Sequence, residues 1–437
     1  MTALESGGDK PKHRRPKLLF LTRSFPPARV ISSVRTWNIA KYLARSGWEV
    51  TVVTPRPDIW RHVEDPVKAA NRIEGEGIQR LLTQHHWRFL EPDVLTCSTR
   101  GLAWVFGGVC RRLVRRLHAD AGIGWTRAAE LACASLTPND VDVILATGSP
   151  FSSFRLAKRL SDRLGRPYVL DYRDPWTDNP HALSRPSEKR IRAERRLLEG
   201  CAAATVVSPS WAKGIDRRFG VASKLHVITN GYDPEELATI EPYAFGHFSI
   251  VYTGAYYPPK RVITPVMAAL KRINESGPTV TDWYFHYYGS EEEHVRDEAK
   301  KFDLLDRVVL HGNVPRRQAL AAVRGANIAV VITSVEEKLT KEDAGIIPGK
   351  LFETLGLKTP ILVISPPGAD IDVIIKKSGL ARRFSGTESD RMKSFIVEVM
   401  CGRSPRSGEP EAYAWEKIVE KLNEILRKPL RMVAGQV

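Results

Sequence analysis

AGIIPGKLFETLGLKTPILVIS, residues 344–365, decides the fold of this chain. It reads as loop, helix, turn and buried strand. Pro348 is expected at the first helical position, because its missing N–H would be unpaired there in any case. Lys350 and Glu353 are three residues apart and share one face of the helix at its positive end. A helix start with free N–H groups and a lysine suits a diphosphate. One turn on, a carboxylate can accept the two hydroxyls of a ribose, as the acidic residue of dinucleotide folds does. The competing reading is a capped surface helix whose Lys and Glu pair in solvent.

Working outward, the second half of the chain alternates short apolar runs with amphipathic stretches. FSIVYTG, WYFHYYG, VVLHGNV, IAVVIT and PILVIS are predicted strands with helices between them. The first half has the same grammar. KLLFLT (17–22), the helix VRTWNIAKYLARSG and EVTVVTP form a βαβ unit, and DVILAT, PYVLDYRD, AATVVSP and KLHVITNG continue it. Apolar strands alternating with helices imply parallel sheets covered on both faces. Residues 56–135 look less regular, and YDPEELATIEPYAFGH (232–247) reads as a polar linker with no clear period. The expectation is an α/β protein of two Rossmann-like domains: a basic tail at 1–16, an N-terminal domain at 17–237 and a C-terminal domain at 238–410. A last helix, within 411–428, crosses back to the N-terminal domain. Two such domains in tandem put a cleft between the carboxyl ends of their sheets.

Composition narrows the partners. The 437 residues carry 66 Lys+Arg against 50 Asp+Glu, a formal net charge of +16, which favours an anionic partner. The basic residues are spread over many helices rather than gathered beside stacking aromatics, which argues against nucleic acid. Cys97, Cys110, Cys133, Cys201 and Cys401 are scattered, with no paired-cysteine or metal-ligand spacing, and read as reduced thiols. His85 and His86 lack acidic or cysteine partners at metal spacing, so no metal site is expected. The polar, then basic N-terminus has no apolar core of a signal peptide, and no apolar run is long enough to span a bilayer. Residues 102–117 can form an amphipathic helix with a basic back, fit either to dock on its own domain or to lie on an anionic membrane.

Several strand ends carry candidate ligands. The loop RSFPPARVISS offers Arg23, Arg29 and Arg35; DVILAT runs into Gly148, Ser149 and Pro150; PYVLDYRD ends in Arg173 and Asp174; FSIVYTG leads through Gly254 into AYYPPKR with Lys260 and Arg261. Familiar nucleotide motifs fail. GIIPGKL is one residue too short between its glycines for a Walker loop and lacks the magnesium-holding Ser/Thr, and no strand precedes a GxGxxG. There is no GxSxG or HExxH.

FPP with Arg35, GWEVTVVTP, DVILATGSP, VLDYRDPWTDNP, ATVVSPS, HVITNGYD, VYTGAYYPPKR, LHGNVPRRQAL and PGKLFETLGLKTPIL stand in this order along nearly the whole chain. In that order they resemble the retaining GT-B glycosyltransferases of family four, in particular bacterial members that build surface polysaccharides or decorate lipid-linked glycans. The resemblance implies a nucleotide-diphosphate sugar as donor, a glycan or lipid-linked acceptor hydroxyl, no metal or other cofactor, and a cytoplasmic enzyme peripheral on the inner face of the plasma membrane. Lys260, with Arg261, would face the diphosphate as the catalytic cations. Gly254, Gly349, Lys350 and Glu353 would bind the donor nucleotide, Glu353 through the ribose. Arg29, Arg35, Ser149, Arg173 and Asp174 would line the acceptor or sugar side.

Three positions depart from the family pattern. Gly345 stands where many members have a glutamate eight residues before the ribose-binding one. Ala255 replaces an arginine after Gly254, and Thr147 to Ser149 replace a histidine at the end of DVILAT. These bear on the sugar contacts more than on the nucleotide. They keep open a partner protein that kept the fold without catalysis, and because one fold hosts several chemistries a sugar-nucleotide epimerase or a phosphorylase is the other alternative.

Overall fold

The structure is a computed structural model, and it describes residues 14–60, 62–83, 122–179, 186–276, 282–341, 343–405 and 408–434. The possible membrane helix at 102–117, the His85–His86 pair, Cys97, Cys110 and most of the basic tail lie outside the described residues.

Two sheets organise the chain. The first contains β1 (Lys17–Leu21), β2 (Glu49–Pro55), β3 (Gln79–Thr83), β4 (Val143–Gly148), β5 (Tyr168–Tyr172), β6 (Ala203–Val206) and β7 (Leu225–Val227) in the order β3-β2-β1-β4-β5-β6-β7. The second contains β8 (Phe248–Thr253), β9 (Trp283–Tyr288), β10 (Val308–Leu310), β11 (Ile328–Ile332), β12 (Ile361–Ile364) and β13 (Ala381–Phe384) in the order β10-β9-β8-β11-β12-β13. β1 runs parallel to both β2 and β4, with Leu18 opposite Val50 and Val143. In the second sheet β8 is parallel to β9 and β11. Both orders reverse direction beside the first strand of their sheet, the switch point at which open α/β sheets collect ligands. The predicted pair of Rossmann-like domains is therefore present, and the fold is GT-B.

The central strands form for the reason anticipated. KLLFL and ILVI are apolar on both faces, and Leu18 to Leu21 and Ile361 to Ile364 are buried throughout, as a sheet sandwiched between helices requires. The helix Ile31–Arg45 buries Trp37, Ile39, Ala40 and Leu43. It gives way after Ser46 to Gly47, whose φ of +87° suits a glycine.

Two regions differ from the sequence expectation. The irregular stretch contains a helix, Pro66–Gly75, capped by the Asp65 carboxylate, and then the edge strand β3. QRLLT is half-exposed and alternates weakly, so its sequence lacks the signature of a buried strand. The presumed linker contains the short helix Pro234–Ala238, started by Asp233 accepting the Glu235 N–H at 3.1 Å.

The described residues group into two compact units, 1–170 with 426–437, and 171–425. The terminal helix Trp415–Ala434 contributes its last residues to the first unit. There Arg427 donates to the Ser46 carbonyl at 3.2 Å and lies over the Trp48 ring. No helix among the described residues is long and apolar enough to cross a membrane.

Candidate functional site

The helix foreseen in the deciding stretch is Gly349–Gly356. Pro348 does not occupy its first turn as expected. It is the extended residue before the helix (φ −64°, ψ 137°), and Gly349 takes the first helical position. The outcome for the backbone is similar: the Leu351 N–H turns back to the Pro348 carbonyl at 3.0 Å, and the Gly349 and Lys350 N–H groups have no carbonyl within the helix to bond.

Lys350 turns back from this helix to the end of β8. Its Nζ donates to the Thr253 carbonyl at 2.6 Å and sits 3.9 Å from the centre of the Tyr252 ring. Gly254 follows with φ +101°, and a Cβ placed there would lie 3.3 Å from the same Nζ. The glycine thus serves both the left-handed turn and the lysine's approach. Among the described residues no carboxylate pairs with Lys350. Burial first and then the Arg261 charge push its ammonium down to about 7, with Glu353 partly opposing both.

The loop after Gly254 is stiffened by aromatic stacking. Tyr252 and Tyr256 stack at 4.6 Å, and Tyr287 joins at 5.4 Å from Tyr256. Tyr257 and Arg261 exchange two backbone hydrogen bonds of 2.9 Å. The Arg261 guanidinium lies 5.0 Å from the Tyr257 ring, and its Nε is buried without a hydrogen-bond partner among the described residues. Lys260 points elsewhere. Its Nζ meets the carboxylate of Asp343 at 2.5 Å, and Asp343 is only 6% exposed. Asp343 opens a 3-10 turn, Asp343–Gly345, held by Thr340.

Glu353 is not a free carboxylate. Its Oε1 accepts from Arg316 Nη1 at 2.6 Å, and Arg316 also grips both oxygens of Glu236 at 3.0 and 3.1 Å. Glu236 belongs to the linker helix. That linker is bound to the helix Arg316–Gly325 by Arg317 reaching Thr239 and by Arg324 reaching the Leu237 and Ile240 carbonyls. It also touches the Lys350 helix, where a Cβ on Gly356 would lie 2.4 Å from Tyr232 and 2.6 Å from Leu237.

The departure at Gly345 has a steric basis. A Cβ there would meet the Trp211 indole at 2.3 Å and Ser208 Oγ at 2.6 Å. Beside it Asp370 accepts both the Ser210 N–H and hydroxyl at 2.7 Å. No glutamate fits at 345 while Trp211 keeps its place.

The residues expected on the acceptor or sugar side lie after β1, β4 and β5 and in the helix Ile31–Arg45. Arg29 is exposed, in a loop whose backbone bonds to His62. Arg35 is buried in the helix Ile31–Arg45. Ser149 is exposed after β4, and Arg173 and Asp174 are half-buried after β5. Beneath that last loop lies Glu194, 1% exposed, which sequence reading did not single out. Burial raises its carboxyl to about 7 against the opposing effect of Thr177.

Two cysteines and a histidine cluster lie outside this set. Cys133 and Cys201 are buried thiols, pushed up by burial to about 12 and about 11, as packing residues would be. His286 bonds to His247 at 2.8 Å and to His311 at 3.0 Å, one through each ring nitrogen. Among the described residues no group of three or more His, Cys, Asp or Glu is arranged to hold a metal ion.

Residues 32–236, somewhat less than half of the chain, match a family model. The match is to Glycosyltransferase Family 4. No curated protein sequence matches the chain. Solved structures share its fold at low identity. Sucrose-phosphate synthase from Thermosynechococcus elongatus is 16% identical with a TM-score of 0.64, covering 96% of this chain and 100% of that one. Anabaena HepE, solved with UDP and glucose, is 12% identical with a TM-score of 0.53, covering 96% and 100%. A Listeria monocytogenes protein described as a UDP-N-acetylglucosamine 2-epimerase is also 12% identical, with a TM-score of 0.55, covering 96% and 98%.

Proposed function

We propose that this protein is a retaining glycosyltransferase that moves a sugar from a nucleotide-diphosphate donor to a hydroxyl of a glycan or lipid-linked acceptor. Its setting would be bacterial surface-polysaccharide or glycoconjugate synthesis. One observation carries the reading. Arg261 and Lys350 converge at the carboxyl end of β8, beside a helix start and a positive-φ glycine, without a carboxylate ion pair among the described residues. Such a cluster has the chemistry of a diphosphate site. The family match at residues 32–236 and the UDP in HepE support the same ligand class.

In the reaction proposed, the bond between the anomeric carbon and the diphosphate oxygen breaks, and its electron pair leaves with the phosphate. The acceptor oxygen attacks from the face the diphosphate vacates, and its proton passes to a phosphate oxygen. No protein base or metal is required. Charge grows on the diphosphate as the bond lengthens. Lys350, Arg261 and the helix start therefore stabilise the transition state more than the ground state. Lys260 joins them once its grip on Asp343 loosens.

A thermal-shift panel of ADP, CDP, GDP and UDP tests the binding step, since a ligand of the native state raises the melting temperature by mass action. Transfer of radiolabelled sugar from the matching donor tests the chemistry. No shift with any diphosphate overturns the reading. Conversion of the donor without an acceptor establishes the epimerase instead, and binding without turnover establishes a non-catalytic partner. The positive charge favours a peripheral position on anionic membrane, each surface Lys or Arg adding about 1 kcal/mol. Co-sedimentation with anionic liposomes that is released by salt supports this, and equal retention on neutral liposomes refutes it.

A further inference from the structure

Glu353 is the carboxylate that the proposed function assigns to the ribose, yet one of its oxygens is already taken. Arg316 Nη1 holds Oε1 at 2.6 Å. The opposite edge of the same guanidinium, Nε and Nη2, is clamped by the two oxygens of Glu236 at 3.0 and 3.1 Å. A fork fixed in this way cannot rotate without breaking two charge-assisted bonds. Glu353 is correspondingly confined, its side chain only 18% exposed. Oε2 carries no hydrogen bond from the described residues. Arg316 is itself placed at the first turn of its helix, and Arg317 and Arg324 tie that helix to the linker bearing Glu236.

The geometry points to Arg316, braced by Glu236, as a positioning residue: it holds the Glu353 carboxylate so that its remaining lone pairs meet a vicinal diol, and thereby makes the site select ribonucleotides over deoxy forms. The inference rests on the donor-binding reading above and names what sets its sugar specificity. The physical case is one of preorganisation. An exposed carboxylate on a short helix samples several rotamers and accepts from water as readily as from a hydroxyl. A carboxylate fixed by one oxygen offers a directed acceptor edge, and a nucleotide lacking the hydroxyls leaves that edge unpaired in a partly buried place. Discrimination against ligands missing a hydroxyl is strong where a site is built around it.

The test compares dissociation constants, by calorimetry, of ADP, CDP, GDP and UDP and their 2′,3′-dideoxy counterparts. For the base bound tightest, the wild-type protein should prefer the ribose form by about tenfold or more. Glu353→Gln should cut that ratio sharply. Arg316→Met and Glu236→Gln should bring it to within about threefold of unity while the dideoxy form keeps its affinity, because the phosphate contacts are untouched. Arg316→Lys, which keeps the charge and loses the fork, should fall between and guards against a folding defect in the methionine variant. A wild-type ratio retained in Arg316→Lys and Glu236→Gln, with Glu353→Gln abolishing it, overturns the positioning role alone. A ratio unaffected by Glu353→Gln, or absent in the wild type, removes the ribose contact and this inference with it. Absence of binding by every diphosphate overturns the underlying reading.

Discussion

Lys350 Nζ sits 2.6 Å from the carbonyl oxygen of Thr253 and 3.9 Å from the centre of the Tyr252 ring. A carbonyl and a π-face are modest partners for a buried ammonium, and burial brings the group down to about 7. A diphosphate would supply the missing charge.

Proton uptake on binding follows. Above pH 7 the free protein holds Lys350 mostly neutral, and an arriving anion draws a proton onto it. Calorimetry at pH 8 in two buffers of different ionisation enthalpy should show net proton uptake for the wild type and much less for Lys350→Met. Linkage to stability has the matching sign. The folded-state value lies below the unfolded one, so the native state binds fewer protons between about 7 and 10.5, and stability rises with pH across that window. Lys350→Met should therefore stabilise the protein most below pH 7 and lose its advantage as pH approaches the ordinary lysine range.

Lys260 and Asp343 should separate catalysis from stability. Lys260→Ala removes a cation from the leaving group and is expected to lower kcat about a hundredfold. It also leaves the buried Asp343 carboxylate unpaired and should lower the melting temperature. Adding Asp343→Asn should restore the melting temperature and leave kcat low. Full turnover in Lys260→Ala would remove this lysine from the reaction.

At Gly345, installing a glutamate should fail. A Cβ would stand 2.3 Å from the Trp211 indole, and overpacking of this kind costs about 1–3 kcal/mol. Gly345→Glu should melt lower than the wild type in a calorimetric scan. A second change, Trp211→Ala, should recover part of the loss. A melting temperature equal to the wild type would show that the indole moves aside at no cost.

Acid should weaken the fold through His286. Burial first, then the His311 and His247 charges, lower its imidazole to about 4. The unfolded chain binds the proton at higher pH, so stability is present above the ordinary histidine value of 6.5 and is lost as pH falls towards 4. Urea midpoints at pH 7.5 and 4.5 should converge in His286→Gln relative to the wild type. An unchanged acid loss in the variant would place the sensitivity elsewhere.

The strands and the Lys350–Glu353 face were legible because their signals are local. KLLFL and ILVI declare themselves by being apolar on both faces, and two polar residues three apart on a helix must share a side. Asp343, Arg316 and Glu236 were not legible, because their roles come from partners far away in the chain. Lys260 meets Asp343 across 83 positions, and Arg316 meets Glu353 across 37. β3 was missed because an edge strand keeps polar residues, and the five-residue helix Pro234–Ala238 because so short an element is held by packing rather than propensity.

Residues 232–247 were expected to be a polar linker, and within them Tyr232, Glu236, Leu237 and Tyr243 buttress the helices Arg316–Gly325 and Gly349–Gly356. Anyone splicing this protein to a relative would do well to cut before Tyr232 and to keep everything downstream of it with its own pocket. A junction after Gly246, open as its surroundings are, would import a foreign buttress and cripple ligand affinity without altering a single ligand-touching side chain.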